Sequence, residues 1–194
     1  MPEPTNPADS MRRVIDETKR VVANVRPDQL DDATPCTDWD VRALLNHVTG
    51  GATMFAECVE HGSIADDEIA RLMTEDLVGD SYKTTFNAAA DRAVAAFDAP
   101  GALDRMVKLP FGEMPAAAAL QIAVFDVTVH ALDLAAATGQ PRDIDPEVLE
   151  TAWVMAQSML TDDMRATGMF AAAQPYPADA SRADQLLAFA GRRI

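Results

Sequence analysis

Cysteine and histidine are both scarce in this chain: 194 residues hold two cysteines and three histidines. Cys36 and Cys58 are too few for a disulfide framework and too far apart for a CxxC metal site, so each reads as a buried apolar filler. Positive charge is short as well. Sixteen Lys and Arg against 31 Asp and Glu leave a net charge of −15. Nucleic acid and anionic membrane surfaces both reward basic residues, so neither is an expected partner. No run reaches the roughly 18 apolar residues of a membrane span. The opening "MPEPTNPADS" is polar and proline-bearing, without the apolar core of a signal peptide. The expected address is cytoplasmic. Repeats, low-complexity tracts and a convincing set of strands are also lacking, so the expected class is all-α.

What is present is apolar spacing of helical period. A first helix is expected over about 10–25, with Val14, Ile15, Val21 and Val22 inward, ended by Arg26-Pro27. A second opens at "TPCTDWD", where Thr37 can cap and Asp40 resembles a capping-box partner. Its stripe is Val41, Leu44, Leu45, Val48, Ala52, Phe55 and Val59, and His61-Gly62 ends it. Residues 62–79 are acidic and read as a long connection. A third helix covers about 81–97. "DRMVKLPFGEMP" is extended or turn-like, ahead of a fourth helix at 115–138. Further helices are expected over "PEVLETAWVMAQSML" and near 182–192, the last capped by Ser181. This order fits a four-helix bundle (about 10–139) with a C-terminal helical extension (about 146–194) in one domain of residues 1–194. The long link between the second and third helices permits them to run parallel.

The fourth helix poses the functional question. It is apolar on every side, as a buried helix is, yet it carries Asp126, His130 and Asp133. At about 100° per residue these three share one narrow stripe. A buried carboxylate without a partner costs several kcal/mol, so the stripe must face something that compensates it. His47, on the shoulder of the second helix's stripe, could face His130 across the core. His47, Asp126 and His130 would then offer two imidazoles and a carboxylate to one divalent ion, with positions left open for water or substrate. Equally, Asp126 and His130 could be a hydrogen-bonded pair that holds the bundle in register. His61 lies about 21 Å beyond His47 along a helix and cannot join it; it reads as solvated. Gly50 and Gly51 each cost about 1 kcal/mol inside a helix. Gly51, one turn past His47, either leaves room for a ligand or lets another helix approach. Asp133 either accepts from a ligating histidine or pairs with Arg142. Phe111-Gly112 is a turn, with a place near the pocket as the alternative.

Four blocks, "TPCTDWDVRALLNHVTGG", "LPFGEMP", "DVTVHALDLAAATG" and "ADASRADQLLAFAGR", together resemble the DinB-like family. More narrowly, they are similar to actinobacterial metal-binding proteins related to the mycothiol-dependent maleylpyruvate isomerase N-terminal domain. The resemblance implies a DinB-like bundle with its second and third helices parallel and a divalent ion at one end. His47 and His130 match the two ligand histidines. Asp126 stands where the isomerase carries a glutamate, and Asp133 matches an acidic position without an assigned role. Zinc is favoured by availability, with nickel, iron or manganese open because ligand type alone does not decide. The wider family is associated with thiol-dependent transferases, so the implied partners are a small thiol such as mycothiol, as cosubstrate, and a small-molecule electrophile. The isomerase has an additional C-terminal domain that the two terminal helices here leave no room for, so maleylpyruvate isomerisation itself is not expected. The electrophile would be met at the bundle's open end, where "LPFGEMP" is expected to lie. A non-catalytic pocket that holds or senses a ligand and a metal-free polar core are the other readings, and the oligomeric state is open, homodimer included.

Overall fold

Helix α5 (Ala116–Ala137) is the axis of the fold, and its burial follows from its composition. From Ala116 to Ala135 its apolar side chains are covered on nearly every side, by four other helices and a hairpin. By length and composition this helix could cross a membrane, but 72% of its most apolar stretch is buried inside the protein. It is a core helix. The computed structural model describes residues 7–168 and 170–193.

Helices α1 (Pro7–Asn24) and α2 (Val41–His61) pack against α5, and α4 (Tyr82–Asp98) closes the bundle against α1 and α2. Side-chain contacts fix their directions. Arg42, at the start of α2, donates to the Gly79 carbonyl just before α4, and Arg92, late in α4, reaches Glu57 and Glu60 at the end of α2. These two helices are therefore parallel. Helix α1 opposes α4, because Tyr82 and Lys83 bond carbonyls at the end of α1 while Arg12, near its start, pairs with Asp98. Helix α5 opposes α2: Gly51 lies opposite Asp126, and His47 opposite His130. The result is the expected all-α bundle with parallel second and third main helices; the C-terminal helices α6 (Pro146–Met159) and α8 (Arg182–Phe189) cover its α5 side, with the short α7 (Asp162–Ala166) between them in the chain.

Three local expectations are corrected. Thr37 does not cap α2; it lies in a turn, and Asp40 accepts from the Ala43 amide at 2.7 Å as the N-cap. The link at 62–79 is not structureless. It holds α3 (Asp66–Thr74), where Asp66, Asp67 and Glu68 suit a helix start and Leu72 is buried. The extended and turn-like reading of "DRMVKLPFGEMP" holds: it forms an antiparallel hairpin, β1 (Met106–Leu109) and β2 (Gly112–Pro115), with Phe111 exposed at its turn. Val107 and Leu109 alternate inward, so four residues suffice for a strand against the bundle. Finally, the helix near 182–192 stops at Phe189, and the chain turns through Gly191.

Candidate metal centre

His47 is carried on the shoulder of α2, and Asp126 and His130 stand one turn apart on the facing stripe of α5. Asp126 Oδ1 lies 3.6 Å from His47 Nε2 and 3.5 Å from His130 Nε2. The two imidazole rings meet edge to face with centroids 4.8 Å apart. These nitrogen-to-oxygen spacings are longer than the usual 2.7–3.2 Å hydrogen bond. They approach the roughly 3.3–3.4 Å between neighbouring ligands that each stand about 2.0–2.1 Å from one tetrahedral ion. The donor set therefore fits a divalent metal, with one ligand atom from each residue. The site is half open: the His47 and Asp126 side chains are 24% and 27% exposed, His130 only 8%. Burial pulls His130 towards the neutral form, but the Asp126 carboxylate, with Asp133 and Cys36, outweighs it and raises its pKa. Burial likewise opposes ionisation of Asp126, and the two histidines reverse that and hold its carboxyl far below the ordinary range.

Behind His130 the structure is closed. Asp133 Oδ2 is 3.1 Å from His130 Nδ1, and the carboxylate is fully buried. Arg192, from the C-terminal turn, donates through Nη2 at 2.9 Å and through Nε at 3.3 Å to the same carboxylate. The Cys36 thiol donates to Asp133 Oδ2 at 3.2 Å, and Arg192 Nη2 lies 3.0 Å from Cys36 Sγ. Of the two readings of Asp133, the structure selects the acceptor for the histidine. Its cation is Arg192, not Arg142, which pairs with Asp184. Cys36 is thus a polar member of this cluster rather than an apolar filler. Cys58 is fully buried in the core, where its thiol donates to the Lys108 carbonyl at 3.4 Å and is pushed up to about 11 by burial.

The sequence model of the mycothiol maleylpyruvate isomerase N-terminal domain matches residues 11–135. The chain belongs to that family. Uncharacterized proteins from two strains of Mycobacterium tuberculosis are 34% identical to it over 194 residues, covering 97% of this chain and 99% of theirs. Its fold is similar to the crystal structure of the mycothiol-dependent maleylpyruvate isomerase, at a TM-score of 0.63 and 18% identity over 79% of this chain and 68% of that one. A histidine-to-alanine mutant of that enzyme matches at 0.62 with the same coverage.

Within this family fold the paired glycines have separate jobs. A Cβ on Gly50 would come within 2.9 Å of the Leu72 carbonyl, so Gly50 lets the end of α3 lie against α2. A Cβ on Gly51 would meet only Asp126 Oδ2, at 3.8 Å, so Gly51 faces the open side of the centre. Trp39 was not singled out by its spacing, yet its ring packs 4.4 Å from His47 and 5.7 Å from His130 and closes one flank. Its position just before the α2 cap, eight residues ahead of His47, was the available signal. Arg192 closes the block "ADASRADQLLAFAGR", but its spacing does not name its partner, which is 59 residues away. "LPFGEMP" is not at this end. Lys108 bonds the Gly62 carbonyl, fifteen residues past His47 on α2, which puts the hairpin roughly 22 Å along the helix from the centre. His61 is 64% exposed beside Glu57 and Glu60, as a solvated residue should be.

Proposed function

We propose that this protein binds one divalent ion through His47, Asp126 and His130 and uses it as a thiol-dependent transferase, with mycothiol as cosubstrate and a small molecule as electrophile. The observation that carries the proposal is the convergence of two Nε2 atoms and one carboxylate oxygen on a single half-open point. Zinc is the favoured ion, and three protein ligands with an open position are the donor count of a catalytic zinc site. An ion bound there supplies a Lewis acid beside which an entering thiol is held as the nucleophilic thiolate. The chain's residues do the rest. His47 and Asp126 form the exposed rim by which a thiol enters, and the missing side chain of Gly51 leaves that rim clear. Trp39 packs against both imidazoles and keeps water from that flank. No further histidine is close enough to serve as a base, because His61 is about 21 Å along α2. The electrophile must therefore approach across this rim and not from the hairpin.

The family membership supports a small thiol as the partner, and the cytoplasm is where such a thiol and this cysteine-poor chain would meet. The test is consumption of mycothiol with a panel of small electrophiles. Activity that needs metal, and that disappears in His47→Ala and after chelation, is the expected result. Equal rates for metal-loaded protein, metal-free protein and buffer would contradict the transferase and leave a ligand-binding or sensing pocket.

A further inference from the structure

The cluster behind His130 is built from three distant parts of the chain, and its cation arrives last. Arg192 is only 8% exposed in the turn that follows α8. The turn that buries it needs glycine. Gly191 has φ +92°, and a Cβ there would meet the Ala171 Cβ and carbonyl oxygen at 2.9 Å. The Gly191 and Arg192 amides bond the Ala188 and Leu187 carbonyls, so the end of α8 closes tightly and aims the guanidinium inward. Arg192 Nη1 is held by the Ala190 carbonyl at 2.8 Å, leaving Nε and Nη2 for Asp133. Asp133 in turn occupies His130 Nδ1. An imidazole whose Nδ1 is fixed by a carboxylate presents Nε2 in one tautomer and one orientation.

We propose that Arg192 and Asp133 are positioning residues of the metal centre, so that the C-terminal tail sets how tightly His47, Asp126 and His130 hold their ion. This rests on the metal reading above and adds to it a coupling between α8 and ion affinity. Coupling is reciprocal, so a bound ion must also tighten the docking of the tail. Lysine at 192 would keep the charge and lose the two-pronged fork that matches the carboxylate.

The experiment measures zinc affinity by chelator competition, and the visible spectrum of the cobalt-substituted protein, for wild type, Arg192→Gln, Arg192→Lys, Asp133→Asn, His47→Ala and Arg142→Ala. Arg142→Ala breaks an ion pair of the same C-terminal layer away from the centre. Arg192→Gln and Asp133→Asn are expected to weaken zinc by about 10- to 100-fold and to alter the cobalt spectrum. Arg192→Lys should fall between them and wild type, and Arg142→Ala should bind as wild type does. Hydrogen exchange of wild type should slow over 182–192 when zinc is added. If Arg192→Gln or Asp133→Asn does not fold, Arg192→Lys and the exchange measurement decide. Wild-type affinity and spectra in the Arg192 and Asp133 variants, with zinc lost only in His47→Ala, would overturn the positioning role alone. Zinc retained by His47→Ala would overturn the metal assignment itself.

Discussion

Helix α2 carries two histidine-carboxylate clusters, one at His47 and one at His61. Their internal spacings are the same: 3.5 and 3.6 Å from imidazole nitrogen to carboxylate oxygen in both. Their surroundings are not. At His61 two carboxylates meet one exposed imidazole, and Arg92 already bonds both, at 2.7 Å to Glu57 and 2.5 Å to Glu60. At His47 two imidazoles meet one carboxylate, no lysine or arginine among the described residues bonds Asp126, and a buried carboxylate orients the second histidine from behind. Spacing alone therefore does not make a metal centre. What separates the two is how the ligands are held and whether a cation has already claimed the charge.

The comparison breaks most sharply at the ligands. His47→Ala and His130→Ala should each abolish metal retention with helical circular dichroism preserved, whereas His61→Ala should keep the full complement, all read by elemental analysis. Asp126→Asn should weaken retention, because it removes the charge and keeps the shape.

The next contrast is between the arginines. Asp133→Ala leaves Arg192 buried without its partner, and breaking a buried pair costs about 3–5 kcal/mol. Arg92→Ala removes two half-exposed pairs, each of which should cost about 0–1 kcal/mol by denaturant unfolding. Equal losses would remove the distinction between the held cluster and the solvated one.

These two contrasts also mark how far the sequence could be read. The bundle was legible because Val41, Leu44, Leu45, Val48, Ala52, Phe55 and Val59 recur at helical spacing and are all buried. His47, Asp126 and His130 were legible as candidates because charge on an apolar helix demands a partner, and the structure brings the three together. Arg192 and Cys36 were not, because a partner supplied by tertiary packing leaves no periodic trace. Helix α3, and the pairing of the two extended runs into a hairpin, were not legible for a related reason. Each is short and amphipathic, and each is stabilised by lying against α2, through Leu72 at Gly50 and Lys108 at Gly62.

A smaller effect separates the two glycines. Gly50→Ala should cost about 1–3 kcal/mol, since its Cβ would press on the Leu72 backbone. Gly51→Ala should be neutral or stabilising by up to about 1 kcal/mol, because its Cβ makes an ordinary contact and helix propensity improves. Thermal unfolding of both variants measures the difference.

A last effect, confined to alkaline pH, lies with Cys58. Its thiol is pushed up to about 11, so the folded state favours the protonated form more than the unfolded chain does. That contribution is present in full below about pH 8.5, the ordinary thiol value, and is lost as pH rises towards 11. Cys58→Ala should flatten the alkaline fall in stability over that window, and native Cys58 should resist alkylation at pH 8.

The most direct test of the account is the metal content of protein purified without a histidine tag or added metal. One divalent ion per chain, released by chelator and bound again at the same stoichiometry, is the predicted result. Metal-free protein that takes up no divalent ion when zinc, nickel, iron or manganese is supplied would contradict it, and would make His47, Asp126 and His130 a polar seam of the bundle.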